Sequence, residues 1–214
     1  MTPEDPRYRS FPSGFFARAD DSDDDVFYVP PRLVTHIDDA AIAAVGDLYD
    51  ELELAGAVLD LCASWVSHFH NAPARLVALG MNEVELTSNP QATEWLVHDL
   101  NREGGATLPF PDGTFDAVTC CVSVDYLVHP IEVFDEVARV LRADGLFVCT
   151  FSNRCFPTKA IRGWLATDDA AHVDVVTEYF RRSHGWGEPV SQRRTPSDHR
   201  GDPLFAVWAH RRAS

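Results

Sequence analysis

Five short stretches of the chain are almost continuously apolar, and amphipathic or polar segments separate them. These stretches are 57–61, 75–79, 94–98, 115–122 and 145–151. Apolar strands of this kind are buried on both faces of a parallel sheet, and helices usually form the connections between them. The pattern therefore predicts an α/β domain with a mostly parallel sheet that helices cover on both faces.

Two segments have the apolar spacing of helices, and two more apolar runs follow near the end of the chain. From Asp38, apolar residues recur at helical spacing, with acids in the first turn, where the helix dipole favours negative charge. Residues 129–145 form the second predicted helix, which we expect to end with Gly145 at the C′ position. The runs within 187–194 and 203–212 predict an antiparallel hairpin at the sheet edge, which brings the sheet to seven strands.

The beginning of the chain has a different composition. Residues 1–34 are rich in proline, aspartate and aromatic residues and show no sustained periodicity. We expect them to form an N-terminal arm or lid that packs on a single domain, residues 35–214. A chain of 214 residues that is 45% hydrophobic can bury one sizeable core and rarely two.

Charge and cysteine content limit the partners and the compartment. The chain has 33 acidic and 18 basic residues, and its net charge of −15 repels phosphate backbones and anionic lipid headgroups. We therefore expect no nucleic acid and no membrane as partners. Five cysteines without CxxC pairs, no signal peptide and no apolar span predict a cytoplasmic protein with reduced thiols. His68 and His70 lack further ligands at metal-binding spacing, so we expect no metal. The sequence does not indicate the oligomeric state.

The turn after the first predicted strand is the expected ligand site, because ligands of parallel sheets bind beyond the carboxyl ends of the strands. Nucleotide-binding turns usually place glycines there, whereas this chain has Cys62, Ala63 and Ser64. These small residues still permit a close approach of the backbone. We expect the turn to keep ordinary dihedral angles, Ser64 to cap a following helix, and the ligand to carry no phosphate. The lack of a GxGxxG motif argues against a nicotinamide dehydrogenase.

Two longer motifs carry a family resemblance: LPFPDGTFDAV at 108–118 and HPIEVFDEVARVLRADGLFVCTF at 129–151. In these motifs the chain resembles the class I S-adenosylmethionine-dependent methyltransferases of the small-molecule type, and the resemblance extends over about 58–209. It implies a Rossmann-like, seven-stranded, mostly parallel sheet with an antiparallel C-terminal edge hairpin and helices on both faces. It also implies S-adenosylmethionine as cofactor and methyl transfer to an unidentified small molecule. Because the glycine motif is degenerate, the alternative is a non-catalytic binding or scaffold protein with the same fold.

The resemblance implies cofactor contacts at the ends of the first four strands. Asp60 would help to bind the amine, Asp99 matches the acid that receives the adenine amino group, and Met81 and Leu100 would flank the adenine. The expected cofactor-binding residues are Asp60, Leu61, Cys62, Ala63, Ser64, Gly80, Met81, Asn82, Asp99, Leu100, Cys121 and Val122.

The second strand departs from the family pattern. Gly80 stands where the family has the acid that binds the ribose hydroxyls. We expect Asn82 or Glu83 to take that contact instead, and we expect an acid placed at position 80 to be tolerated.

The segment after the fourth strand supplies the catalytic candidates. The family usually places residues beside the transferred methyl group there, so Asp125, Tyr126 and His129 are candidates for substrate contact or for a base. The alternative is that Asp125 caps a loop and His129 opens a helix. Alignment alone can accelerate transfer from a sulfonium, which is already a strong electrophile, so a base is not required.

Substrate contacts are expected from the arm and from the segment after the fifth strand. The expected substrate-binding residues are Tyr28, Arg32, His36, Asn153, Arg154 and Lys159. The first three belong to a lid that would exclude water, unless the aromatic residues of the arm simply pack on the sheet. The last three form a local basic patch that suits a substrate with an anionic group, and salt bridges with nearby acids explain it equally well.

Overall fold

The computed structural model describes residues 5–213, and its centre is one seven-stranded sheet. The strands are β1 (Ala57–Leu61), β2 (Arg75–Gly80), β3 (Glu94–Val97), β4 (Phe115–Cys121), β5 (Leu141–Phe151), β6 (Val190–Arg193) and β7 (Phe205–His210). Their order across the sheet is β3-β2-β1-β4-β5-β7-β6. The first five strands pair in parallel, whereas β7 runs antiparallel to both β5 and β6. The predicted α/β fold with an antiparallel C-terminal edge hairpin is confirmed.

Helices cover both faces of this sheet. They are α1 (Asp24–Phe27), α2 (Asp39–Glu51), α3 (Glu83–Thr87), α4 (Pro130–Val140), α5 (Arg162–Leu165) and α6 (Asp169–Arg182). On one face, Val45 and Leu48 of α2 share a core with Val58 of β1. On the other face, α4 and α6 pack in a core that contains Phe134 and Leu59. Val58 and Leu59 are adjacent in β1 and point to opposite faces, as strand geometry requires. None of the helices in residues 5–213 is long and apolar enough to cross a membrane.

The end of the helix before β5 differs from the prediction. Helix α4 ends at Val140 and β5 follows at once, so Gly145 lies inside the strand and not at a C′ position. The left-handed backbone conformation belongs to Asp144, which has a φ of 61°. A β-carbon at position 145 would lie 2.9 Å from the carbonyl oxygen of Arg142 and 3.0 Å from that of Asp116. The close approach of these carbonyl groups therefore explains the glycine.

The connection from β1 to β2 contains no helix within the described chain, so Ser64 does not cap one. The irregular connection packs against two neighbouring segments instead. The indole of Trp65 donates a hydrogen bond of 3.0 Å to the carbonyl of Val34 in the arm. The ring centroid of Phe69 lies 4.6 Å from that of Tyr49 in α2. The arm and α2 thus contact the segment where a covering helix was expected.

The first part of the arm packs on α4 and α6. The hydroxyl of Tyr8, which is fully buried, accepts a hydrogen bond of 3.0 Å from the backbone N–H of Ile131. The ring centroid of Phe16 lies 6.2 Å from that of Tyr179 in α6. Aromatic residues of the arm therefore belong to the hydrophobic core on that face of the sheet.

The second part of the arm, residues 20–34, reaches the carboxyl ends of the parallel strands. Lys159, which is fully buried, holds its beginning: the Nζ atom donates a hydrogen bond of 2.7 Å to the carbonyl of Ser22. The same ammonium group lies 3.2 Å from the carboxylate of Asp24 and 3.3 Å from that of Asp20. A buried cation needs such partners, so Lys159 fixes the arm at this point.

Candidate functional site

A cavity of about 470 Å³ lies at the carboxyl ends of β1, β2, β3 and β4, beneath the second part of the arm. All of the expected cofactor-binding residues line it. The strand order explains this convergence, because β1 lies between β2 and β4 and the carboxyl ends of parallel strands meet at one edge of the sheet. The volume is in the range of about 300–1,000 Å³ that small-molecule sites occupy.

Asp60 is the buried acid of this cavity. The hydroxyl of Thr119, on the neighbouring strand β4, donates a hydrogen bond of 2.8 Å to its Oδ1 atom. Burial raises the pKa of Asp60 to about 6, because a low-dielectric environment disfavours the carboxylate. A bound ammonium group would favour the charged form of this side chain.

The backbone of the β1 turn does not keep ordinary dihedral angles, so that prediction was wrong. Cys62 has a φ of 53°, in the left-handed region that favours glycine. The N–H of Ala63 donates a hydrogen bond of 2.8 Å to the carbonyl of Leu79, which draws the turn across the end of β2. At the end of β4, Val122 has a φ of 44°, which is unusual for a β-branched residue. With His68, whose φ is 60°, three strained positions border one cavity, an arrangement that is common at functional sites.

Gly80 is the point where the β1 turn and β2 come closest. A β-carbon at this position would overlap the carbonyl oxygen of Ala63, and a backbone atom cannot rotate away as a side chain can. The expectation that an acid is tolerated at position 80 is therefore wrong. The turn itself fills the space in which that side chain would begin.

Asn82 uses its hydrogen-bonding groups within the protein. Its Oδ1 atom accepts from two backbone N–H groups in the first turn of α3, at 2.9 and 3.1 Å. Its Nδ2 atom donates to the arm carbonyls of Tyr28 at 2.7 Å and Val29 at 3.1 Å. Glu83, the other expected substitute for the ribose acid, is exposed and does not line the cavity. Asn82 therefore caps α3 and ties it to the arm.

Glu85 is a buried cavity acid that was absent from the predicted site residues. Its Oε2 atom accepts a hydrogen bond of 2.5 Å from the hydroxyl of Ser64, and its Oε1 atom accepts one of 2.6 Å from the backbone N–H of Arg32. This one carboxylate therefore joins the β1 turn, α3 and the arm. The sequence does not distinguish Glu85 from Glu83, because the cap at Asn82 determines how α3 is oriented and which of its acids faces the cavity.

The end of β3 brings Asp99 and Leu100 to the cavity. Oδ1 of Asp99 accepts a hydrogen bond of 2.8 Å from the N–H of Asn101. Burial, assisted by the nearby negative charge of Asp24, raises the pKa of Asp99. Nδ2 of Asn101 donates to the carboxylate of Asp24 and to the carbonyl of Tyr126, both at 2.9 Å. Asn101, which the sequence patterns did not single out, thus connects β3, the arm and the segment after β4.

Comparison with known proteins shows what the chain is similar to. Residues 60–149 match the model of a methyltransferase domain. The fold is similar to that of the 1,6-didemethyltoxoflavin-N1-methyltransferase of Burkholderia thailandensis, with a TM-score of 0.57 and a sequence identity of 16%. The similarity covers 82% of this chain and 80% of that chain. The structure of that enzyme contains 1,6-didemethyltoxoflavin and S-adenosylhomocysteine. Residues 60–149 are thus similar to a methyltransferase domain, and the whole fold is similar to that of a solved methyltransferase.

Two relatives by sequence are also methyltransferases. An uncharacterized methyltransferase of Mycolicibacterium vanbaalenii is 26% identical over 194 residues, which cover 84% of this chain and 69% of the relative. The ubiquinone/menaquinone biosynthesis C-methyltransferase UbiE of Chromobacterium violaceum is 25% identical over 143 residues, which cover 61% of this chain and 59% of the relative. The present chain therefore spans less than two thirds of the second relative.

The three catalytic candidates occupy different environments. Tyr126 lines the cavity, whereas Asp125 and His129 do not. Asp125 is buried, and one of its carboxylate oxygens has no hydrogen-bond partner among the described residues. Burial raises the pKa of Asp125 to about 8. His129 is the residue before α4, and its side chain makes no capping hydrogen bond.

The expected substrate-binding residues separate into two groups. Five of them line the cavity: Tyr28, Arg32, His36, Asn153 and Arg154. Lys159 does not line it, because its ammonium group is buried among acids of the arm. Arg154 is largely exposed and lies 3.7 Å from Asp202. The predicted basic patch is therefore divided between an interior ion pair and the rim of the cavity.

Proposed function

We propose that this protein binds S-adenosylmethionine in the cavity and transfers its methyl group to a small-molecule acceptor. The observation that carries the proposal is the meeting of Asp60, Asp99 and the β1 turn, from separate parallel strands, in one cavity covered by the arm. A further candidate, a non-catalytic binding protein, is considered below because one contact in the cavity favours it.

The polar groups of the cavity suit this cofactor. When bound, S-adenosylmethionine supplies an electrophilic methyl group on a sulfonium, and it carries an amine, a carboxylate and a ribose but no phosphate. Asp60 offers an acceptor for the amine, and Asp99 offers one for the adenine amino group. Met81 and Leu100 line the cavity and offer apolar contact for the adenine.

We assign the ribose contact to Glu85. The family acid cannot stand at Gly80, because the carbonyl of Ala63 fills that space. Glu85 is a buried carboxylate on the same side of the cavity. A carboxylate has about four lone-pair sites, of which Ser64 and Arg32 occupy two. The remaining sites are available to the ribose hydroxyls.

The chain contributes alignment and exclusion of water. The arm covers the cavity and is held by Asn82, by Glu85 and by Trp65, each through a backbone group of the arm. A covered cavity fixes the acceptor in line with the sulfonium, and effective molarities of ~10⁵ M or more are available from such alignment. A separate base is not required by this mechanism.

A titration separates the function classes. The full chain is titrated calorimetrically with S-adenosylmethionine, S-adenosylhomocysteine and NAD. We expect the first two ligands to bind and NAD to fail, since the β1 turn is not a glycine cradle for a pyrophosphate. The variant Glu85→Gln should weaken S-adenosylhomocysteine binding, whereas the matched variant Glu83→Gln, at an exposed acid two positions away, should not. Failure of both sulfur ligands to bind would contradict the proposal.

The second candidate is a binding or scaffold protein without turnover. It is favoured by the hydrogen bond from Ser64 to Glu85, which takes one of the lone-pair sites of the proposed ribose acid. The variant Ser64→Ala tests this contact. If the Ser64 hydroxyl competes with the cofactor for Glu85, its removal should strengthen S-adenosylhomocysteine binding. Binding of S-adenosylmethionine without release of S-adenosylhomocysteine, in the presence of a panel of phenols, enols and heteroaromatic amines, would support the non-catalytic reading.

A further inference from the structure

We infer that the second ligand of this cavity is a planar conjugated molecule that bears an oxygen acceptor, held against a wall of Tyr28, Tyr126 and Phe156. This set is called the aromatic wall below. All three side chains line the cavity, and two come from outside the segments that the cofactor residues occupy: Tyr28 from the arm and Phe156 from the loop after β5. As the site of a methyl acceptor, the wall depends on the proposed function; as a binding site, it does not.

The rings of the aromatic wall are in contact with one another. The centroids of Tyr126 and Phe156 are 5.9 Å apart, and the ring planes differ by 28°. Phe27, behind the wall, packs edge-on against both Tyr28 at 4.9 Å and Phe156 at 5.4 Å. A ring inserted between two others needs about 7 Å between them, twice the ~3.5 Å contact distance of carbon atoms. A ligand therefore does not intercalate between Tyr126 and Phe156, and it lies against the wall beside Arg32, which covers part of Phe156 and Tyr28.

Two phenol hydroxyls give the wall its polar groups. The hydroxyl of Tyr28 forms no hydrogen bond with any residue that the structure describes. The hydroxyl of Tyr126 accepts a hydrogen bond of 2.8 Å from the N–H of Phe156, which leaves its own proton to donate. Burial raises the pKa of both phenols, so both stay protonated at neutral pH. Two donors beside an apolar ring surface select a ligand with lone pairs on oxygen.

A positive charge already lies beside these rings. The guanidinium carbon of Arg32 is 4.5 Å from the ring centroid of Phe27, 5.2 Å from that of Phe156 and 5.7 Å from that of Tyr28. The faces of aromatic rings attract cations, and in this site the guanidinium group of Arg32 is that cation, so a cationic ligand is not needed there. This group would repel an ammonium ligand and attract the partial negative charge of a carbonyl or phenol oxygen. Asp24, which also lines the cavity, acts on Tyr28 with the opposite charge, so the wall is suited to a neutral oxygen compound.

A pair of probes tests planarity directly. The probes are 2-naphthol and trans-decahydro-2-naphthol, which share the hydroxyl group and the two-ring skeleton but differ in planarity. Each is titrated into the full chain, with and without saturating S-adenosylhomocysteine. We expect 2-naphthol to bind at least about tenfold more tightly than the saturated alcohol. Equal affinities, or no binding of 2-naphthol, would overturn the inference.

Variants test the wall residue by residue. Tyr28→Phe keeps the ring and removes the hydroxyl, so it should weaken 2-naphthol binding by about tenfold. Phe156→Leu should weaken it to a similar degree. The control is Tyr179→Phe, which removes a buried hydroxyl without a partner in residues 5–213 at a position outside the cavity, and it should leave binding unchanged. Unchanged affinity in both wall variants would contradict the inference.

The two proposals fail in distinguishable ways. If S-adenosylhomocysteine does not bind while 2-naphthol discrimination and the effect of Tyr28→Phe persist, the cofactor assignment fails and the wall stands. If S-adenosylhomocysteine binds but the two probes bind alike, the wall fails and the proposed function stands.

Discussion

The carbonyl oxygen of Ala63 occupies the space that a β-carbon on Gly80 would need. The β1 turn and the end of β2 are thereby locked together, and the hydrogen bond from the N–H of Ala63 to Leu79 fixes the same approach. The glycine is required by this contact and not by its own dihedral angles. The relationship also explains why the acid of this side of the cavity stands at Glu85, on the following helix.

Gly80→Ala should destabilise the protein by about 1–3 kcal/mol, because a methyl group forced against backbone displaces the turn. S-adenosylhomocysteine binding should weaken at the same time. The free energy of unfolding in urea measures the first effect. Gly187→Ala is the control, since its β-carbon would lie 3.5 Å from the carbonyl of His210, an ordinary contact. Equal stability of the two variants would contradict the close approach.

Cys62→Gly should be more stable than Cys62→Ala by about 1 kcal/mol, the reverse of the usual order for glycine and alanine. The reason is the φ of 53° at this position, which costs a residue with a β-carbon roughly 1–2 kcal/mol and costs glycine almost nothing. Comparing the two variants removes the effect of the lost thiol. If alanine is the more stable residue in chemical unfolding, the turn has ordinary dihedral angles.

The parts of the fold that depend on local pattern could be predicted, and the parts that depend on contacts distant in sequence could not. Strand β1 lies at the predicted 57–61, because its residues are buried on both faces of the sheet. Glu85 could not be distinguished from Glu83 by pattern, since its role comes from Ser64 and Arg32, which lie far away in the chain. The sequence pattern places Lys159 in a basic patch, because the pattern does not reveal the contacts with the arm that bury its ammonium group.

The pH dependence of stability should reveal Asp125. Its carboxyl has a pKa of about 8 in the folded protein and an ordinary value of 3.8 in the unfolded chain. Between these values the unfolded state binds fewer protons, so the free energy of unfolding falls as the pH rises, by up to ~1.4 kcal/mol per pH unit. The side chain at position 125 cannot ionise in Asp125→Asn, so the free energy of unfolding of this variant does not fall for that reason.

The stability of Asp125→Asn relative to the natural protein should therefore increase between pH 5 and pH 7, by roughly 1–2 kcal/mol. Urea unfolding at both pH values provides the measurement. Asp60→Asn is the matched comparison, because the pKa of Asp60 is about 6 and its advantage should stop growing near that pH. A difference between Asp125→Asn and the natural protein that does not change with pH would contradict the buried, protonated carboxyl.

Asp99→Ala should weaken S-adenosylhomocysteine binding by ~1–3 kcal/mol, the cost of leaving a hydrogen-bonding group unpaired. The carboxylate accepts a hydrogen bond from the N–H of Asn101 and lines the cavity, where we expect it to accept one from an amino group. Calorimetric titration gives the affinity. Asp198→Ala, at an exposed acid outside the cavity, should bind as the natural protein does; an unaltered affinity in Asp99→Ala would remove that residue from the cofactor site.

Lys159 is the one lysine of the sequence, and its ammonium group is fully buried under the arm. An amine-reactive reagent can modify it only when Ser22 and Asp24 move away. The rate of acylation at Lys159, followed by mass spectrometry of the peptide that contains it, therefore measures how often the arm detaches. The Nζ atom of Lys159, the one lysine of the sequence, thus reports how often the arm moves away from the cavity.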